Sequence, residues 1–291
     1  GGRPRAGAAV VEGKASQLLV DVIRGSWDRL GFGVVDDEAF FQLVLARLVE
    51  PTSKLDSLRV IKDLGVEPVH LSTVKRALKR CAAKDYRPLV QTACFEHVWS
   101  GAGGDVSLLM YDVTTLYFEA ENEDDLRKVG FSKERRVDPQ IVVGLLVDRT
   151  GFPLEIACFE GSQPETHTII PVVTAFQERN QVADMVVVAD AGMLSNTNLT
   201  AIDEAGLRFI VGSRVTRAPH DLAKYFHWHG NAFTDGQVID TITLRRQKAD
   251  PDQLKTRAEP VWDPAAHPAA WRAVWAYSHK RAARDRKTLA A

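Results

Sequence analysis

The 291-residue sequence has only three cysteines, Cys81, Cys94 and Cys158, and no two of them lie within a CxxC spacing. That odd, scattered set excludes a disulfide framework and a cysteine-based zinc knuckle, and it fits a reducing, cytoplasmic compartment. No apolar run approaches the ~18–20 residues of a membrane span, and the N-terminus has no signal-peptide core. Net charge is also scarce. Thirty-seven Lys and Arg stand against thirty-eight Asp and Glu, a formal charge of −1, which excludes a uniformly polybasic nucleic-acid binder. With 45% hydrophobic residues, the chain also lacks the composition of a disordered protein.

What is present divides into three parts. Residues 1–15 are rich in Gly, Ala and Arg and read as a flexible segment. Residues 16–100 carry helical patterning and are expected to form an all-α domain. Asp36-Asp37-Glu38 supplies capping carboxylates before the periodic run Phe40, Leu43, Val44 and Leu48. Pro51-Thr52-Ser53 ends that helix. A second helix follows, closed by Gly65, and a third opens at Leu71 with Lys75, Arg76, Lys79 and Arg80 on one flank. This pair reads equally as a helix-turn-helix with a DNA-facing basic helix or as a bundle with a solvated basic face. Gly101 to Gly104 marks the expected domain boundary.

Residues 101–291 change to strand patterning. A mostly apolar run over 106–111 is expected to be a strand ending in Asp112. Residues 141–148 and 152–159 form a hairpin about Arg149-Thr150-Gly151, 166–180 a helix, and 185–189 a strand ending in Asp190. A helix over 196–206 and a strand over 208–212 follow. Residues 215–270 read as a β-rich insertion, and a strand over 271–277 leads into a basic stretch.

Two aspartates at the ends of strands that could be neighbours offer exposed oxygen ligands to hard divalent cations. A pair of such ions about 4 Å apart supports in-line phosphoryl transfer. The bland alternative, two unrelated strand-end carboxylates, stays open on spacing alone. A phosphatase with Asp112 as nucleophile would need a second Asp two residues on, where Thr114 stands.

The wording around the aspartates narrows the choice. Tyr111-Asp112-Val113-Thr114-Thr115-Leu116-Tyr117-Phe118, Gly130-Phe131-Ser132-Lys133, Gln140-Ile141-Val142-Val143-Gly144-Leu145-Leu146-Val147, Gly151-Phe152-Pro153-Leu154 and Val188-Ala189-Asp190-Ala191-Gly192-Met193-Leu194-Ser195 occur in that order. Over roughly residues 100–291 the series, with the Tyr277-Ser278-His279-Lys280-Arg281 tail, resembles the IS4-like DDE transposases, most closely the IS1634 type. The resemblance implies an α/β fold with an RNase H-like mixed-sheet core interrupted by a β-rich insertion. It also implies Mg²⁺- or Mn²⁺-dependent cleavage and transfer of DNA strands at insertion-sequence ends by a two-metal site. Asp112 and Asp190 would be the first two members of the acidic triad.

The family's third member is a Glu within a Tyr/Arg/Glu/Lys helix after the insertion, and here the sequence departs. Its last glutamate is Glu259, inside the insertion; no glutamate follows Tyr277, and the only carboxylate after Tyr277 is Asp285. The expectation is a chain that stops before the third carboxylate. The alternative reading is therefore a catalytically inactive remnant that still binds DNA.

The implied partners are terminal inverted repeats, target DNA and a second copy of the chain on DNA, in a cytoplasmic, nucleoid-associated setting. From Val215 onward thirteen Lys and Arg face eight Asp and Glu, so Lys280, Arg281 and Arg284 join Lys133 and the basic helix as expected phosphate contacts. Lesser candidates are Ser132 beside Lys133, and the backbone N–H groups over 161–168, with Glu165 and His167. His227-Trp228-His229 places two imidazoles on one strand face, which reads as half a metal site or as a surface turn.

Overall fold

The computed structural model describes residues 16–101, 105–119, 122–131, 137–182, 184–190, 196–212, 234–244, 265 and 270–289. Chain contacts group Gly1–Gly212 into one compact unit and Ser213–Ala291 into a second. The sequence placed its boundary at Gly101–Gly104, whereas the contacts place it after Gly212.

The first unit begins with helices α1 (Gln17–Arg29), α2 (Glu38–Val49), α3 (Ser57–Asp63), α4 (Leu71–Ala83) and α5 (Tyr86–Gly101). Asp37 caps α2 as expected, accepting from Phe40 N–H at 3.2 Å. Gly65 takes φ +84° after α3, where a side chain would be strained. Phe41, Leu45, Val60 and Ile61 form the small core of this part, with Val20 from α1. The connection between α3 and α4 spans residues 64–70, longer than the usual helix-turn-helix turn.

A five-stranded sheet follows: β1 (Leu108–Tyr117), β2 (Gln140–Asp148), β3 (Pro153–Glu160), β4 (Val186–Ala189) and β5 (Arg208–Val211), in the order β3-β2-β1-β4-β5. β1, β2 and β3 run antiparallel in a meander; β4 and β5 continue parallel to β1. This is the RNase H-like mixed sheet that the resemblance implied. The helices α6 (Ile169–Asn180) and α7 (Asn196–Glu204) connect β3 to β4 and β4 to β5.

The buried core joins Leu109 and Tyr111 of β1, Leu146 of β2 and Val187 and Ala189 of β4 to Val172, Val173 and Phe176 of α6 and Ile202 of α7. Register partners share a sheet face. On the opposite face Leu116, Leu145, Ile156 and Ile210 remain exposed.

In the second unit β6 (Val238–Leu244) and β7 (Ala270–Ala276) form an antiparallel pair, followed by α8 (His279–Leu289). The β character read for the insertion is thus present in the described residues.

Candidate active site

The last parallel partners of β1 and β4 are Tyr111 and Ala189. Asp112 follows within β1 and Asp190 directly after the end of β4, and both are exposed. The topology therefore brings the two sequence-predicted carboxylates to adjacent positions. One detail differs from the expectation. β1 does not end before Asp112 but continues to Tyr117, held against β2 through Asp112↔Leu145 and on to Tyr117↔Gln140. Val113, Thr114, Thr115 and Tyr117 are good strand formers, and β2 provides their partners. Asp112 is thus a mid-strand residue at the point where β4 stops, on the sheet face that Leu145 and Ile156 share. Its Oδ1 accepts from Val113 N–H at 2.8 Å.

Beneath Asp112 the sheet is anchored. The buried Tyr111 hydroxyl donates to Thr168 Oγ1 at 2.8 Å, and Thr168 donates in turn to the Glu165 carbonyl at 2.6 Å. Burial, with some help from the charge of Asp112 and against the Thr168 hydrogen bond, pushes the Tyr111 phenol up to about 12. Tyr111 lies across Gly144: a Cβ there would stand 2.2 Å from the phenol oxygen.

At the far end of β1, Gln140 is 2% exposed and donates from Nε2 to the carbonyls of Gly161 (2.8 Å) and Phe131 (3.3 Å). Lys128 and Gln140 exchange two backbone hydrogen bonds, and Gly161 N–H donates to Leu126. Sequence reasoning passed over this knot. Its signal was a glutamine heading an otherwise apolar strand, with Gly130 and Gly161 on either side.

The other candidates are dispersed. Lys75, Arg76 and Lys79 are exposed on α4. Arg80 is engaged within the protein: its Nε and Nη2 donate to Asp37 Oδ2 at 3.0 and 2.7 Å, beside the Tyr86 hydroxyl at 2.9 Å. The N–H groups of His167 and Thr168 are used by the carbonyls of Pro164 and Glu165 within a short 3₁₀ turn, so that segment offers fewer donors to an anion than expected. Lys280, Arg281 and Arg284 are exposed on α8. Ser132, Lys133, His227, Trp228, His229 and Glu259 lie outside the described residues, as does the side chain of Asp285.

Two exposed carboxylates at neighbouring positions supply the oxygen donors that Mg²⁺ or Mn²⁺ prefers. Among the described residues no group of three or more His, Cys, Asp or Glu stands together. Among the described residues the donors offered to a cation are therefore these two carboxylates. No helix among the described residues is long and apolar enough to cross a membrane.

No protein-family profile and no curated protein matches the sequence. Among solved structures, the Mos1 transposase paired-end complex with left transposon end is 8% identical at a TM-score of 0.26, over 68% of this chain and 72% of that one. The piggyBac transposase synaptic complex with hairpin DNA is 12% identical at a TM-score of 0.41, over 69% of this chain. This chain spans 46% of the piggyBac chain, less than half its length.

Proposed function

We propose that the chain is the catalytic core of an insertion-sequence DNA transposase of the IS4-like DDE group, IS1634 type, cleaving and transferring strands at element ends. The observation that carries the reading is the adjacency of Asp112 and Asp190 beyond the last β1–β4 pair. The ordered motifs around both residues give it its family. Asp112 presents its carboxylate from a backbone fixed by sheet pairing, and Asp190 follows directly on the last paired residue of β4. Like charges side by side repel, and a divalent cation held by Asp112 and Asp190 would relieve that repulsion. Mg²⁺ or Mn²⁺ held by these residues would supply the polarisation that makes water or a 3′-hydroxyl nucleophilic and steadies the leaving oxygen. The exposed cations of α4 and α8 would contact backbone phosphates of terminal repeats and target DNA, and two copies would hold paired ends.

The test is nicking of supercoiled plasmid by the purified chain with Mg²⁺ or Mn²⁺. The expected result is cation-dependent nicking that falls at least ~100-fold in Asp112→Asn and in Asp190→Asn, with circular dichroism unchanged. Nicking that survives both substitutions overturns the assignment. Salt-dependent DNA binding with no nicking by the wild-type chain supports the inactive DNA-binding remnant instead.

A further inference from the structure

We infer that the cleft between the C-terminal ends of α5 and α6 is a binding site for a small aliphatic polyamine, an inference independent of the proposed function. The cleft lies at the opposite end of β1 from Asp112. Ser107, one of its lining residues, precedes β1, and its carbonyl accepts from Val186 N–H at 2.8 Å where β1 and β4 begin to run together. Asp112 follows roughly 17 Å along the strand at ~3.3 Å per residue. The cleft's volume of about 530 Å³ is that of a small-molecule site.

Its lining joins an apolar wall to two carboxylates. Trp99, 55% exposed in the last turn of α5, stacks on Phe95 with ring centroids 5.5 Å apart and planes at 21°. Phe95 meets the buried Phe176 edge-on at 5.8 Å, so the indole is backed by the core. Val106 and Val182 extend the apolar surface. Asp105 stands ahead of β1 and Asp184 ahead of β4, one carboxylate on the approach to each strand. Ser107 holds Asp105 in place, its N–H and hydroxyl donating to Oδ1 at 3.1 and 2.5 Å.

The electrostatics select a cation. Trp99 and Asn180 belong to the last turns of their helices, so the cleft takes the negative end of two helix dipoles. α5 has no basic residue in its last turn, and Arg179 of α6 is committed to Glu155. An indole face attracts an ammonium group as well. Two carboxylates on separate elements, with apolar surface beside them, suit two ammonium groups joined by a methylene chain. Arg149 pairs with Asp105 at 2.8 Å and Arg208 pairs with Asp184. Both arginines are exposed, and exposed pairs hold weakly, so a ligand that gains the indole as well displaces them.

The experiment titrates the full chain with spermidine in a calorimeter at constant ionic strength. The wild type is expected to bind at one site. Trp99→Ala should weaken binding about 2- to 30-fold, the range of one cation–π contact. Asp105→Asn and Asp184→Asn should each weaken it about 2- to 5-fold, whereas Arg149→Gln and Arg208→Gln should tighten it by a similar factor. Lys62→Gln, an equal loss of charge on α3, should change nothing, and neither should Asp112→Asn. Asp184→Asn alters an exposed group, so its effect cannot come from misfolding. Unchanged affinity in both Trp99→Ala and Asp184→Asn overturns the inference, as does a wild type that binds no spermidine at millimolar concentration. Loss of binding in Asp112→Asn overturns it by placing the ligand at the aspartate pair. Nα-acetyl-lysinamide binding as tightly as spermidine overturns it in favour of a lysine side chain from a protein. Plasmid nicking tests the functional reading separately and stands whatever the calorimeter shows.

Discussion

The buried hydroxyl of Tyr111, the residue before Asp112, donates to Thr168 Oγ1 at 2.8 Å and ties β1 to the segment that leads into α6. Removing it tests whether that tie supports the aspartate. Tyr111→Phe is expected to destabilise the chain by about 1 kcal/mol, the net value of one buried hydrogen bond. Gly144→Ala should cost more, about 2–3 kcal/mol, because its Cβ would meet both the oxygen (2.2 Å) and Cζ (2.9 Å) of the phenol. Urea denaturation measures both. An alkaline absorbance titration should show Tyr111 ionising late, near the value of about 12 set by burial, alongside Tyr86, which burial and Asp37 also raise, and Tyr111→Phe should remove one of the late tyrosines. An unchanged count of late-ionising tyrosines in Tyr111→Phe would contradict this account.

Glu155 of β3 and Arg179 of α6 form an ion pair in which the carboxylate side chain is only 5% exposed. Burial raises the Glu155 carboxyl above its usual range even though Arg179 opposes the shift. A raised carboxyl pKa disfavours the folded state as pH climbs through it, so Arg179→Met should be costly at neutral pH, by about 3 kcal/mol. The cost should shrink as the pH is lowered and Glu155 is protonated. The double variant Glu155→Leu/Arg179→Met should recover most of the loss. If the single variant is equally unstable at every pH, the buried charge is not the cause.

The sheet and the aspartate pair were legible because their signals are local. Val186 to Ala189 and residues 141–147 are continuous apolar runs, the Arg149-Thr150-Gly151 turn joins a hairpin, and each Asp interrupts an apolar strand. The extent of β1 was not legible. Whether Val113 to Tyr117 is strand depends on β2 lying alongside, a contact about thirty residues away that no local pattern records. The role of Arg80 was hidden for the same reason. It belongs to a basic run in sequence, and only the folded chain brings Asp37, forty-three positions earlier, against it. The Gly130–Gln140–Gly161 knot joins three segments, and two glycines and a glutamine say little until their backbones meet.

Asp37 predicts an acid-sensitive helical segment. Burial works to raise its carboxyl, but hydrogen bonds from Arg80, Tyr86 and the Phe40 backbone outweigh it and leave it below the usual range. A depressed carboxyl pKa stabilises the fold above the unfolded-state value, near ~3.9, and that stability is lost as pH falls through the folded-state value. Asp37→Ala removes the α2 cap and leaves Arg80 and the Tyr86 hydroxyl without their shared acceptor, at a cost of about 2 kcal/mol at neutral pH. The difference between wild type and variant should vanish at the acid end of a denaturation series. A pH-independent difference would mean that the cap, not the charge, accounts for the loss.

The knot beside Phe131 gives the sharpest structural test, because its obstacles are backbone atoms that cannot swing aside. A Cβ on Gly161 would lie 2.0 Å from the Gln140 carbonyl oxygen and 2.3 Å from that of Lys128. Gly161→Ala must therefore separate the Lys128–Gln140 bridge, at about 2–3 kcal/mol. Gly151→Ala is the comparison. Its Cβ would meet nothing within 4 Å, and its cost comes from φ +88° alone. Hydrogen exchange separates the two mechanisms. Gly161→Ala should release the amides of Lys128, Val129 and Gln140 while β1–β4 protection is unchanged, and Gly151→Ala should act only at the β2–β3 turn. Unchanged protection at Lys128 and Gln140 in Gly161→Ala would contradict this account of the knot.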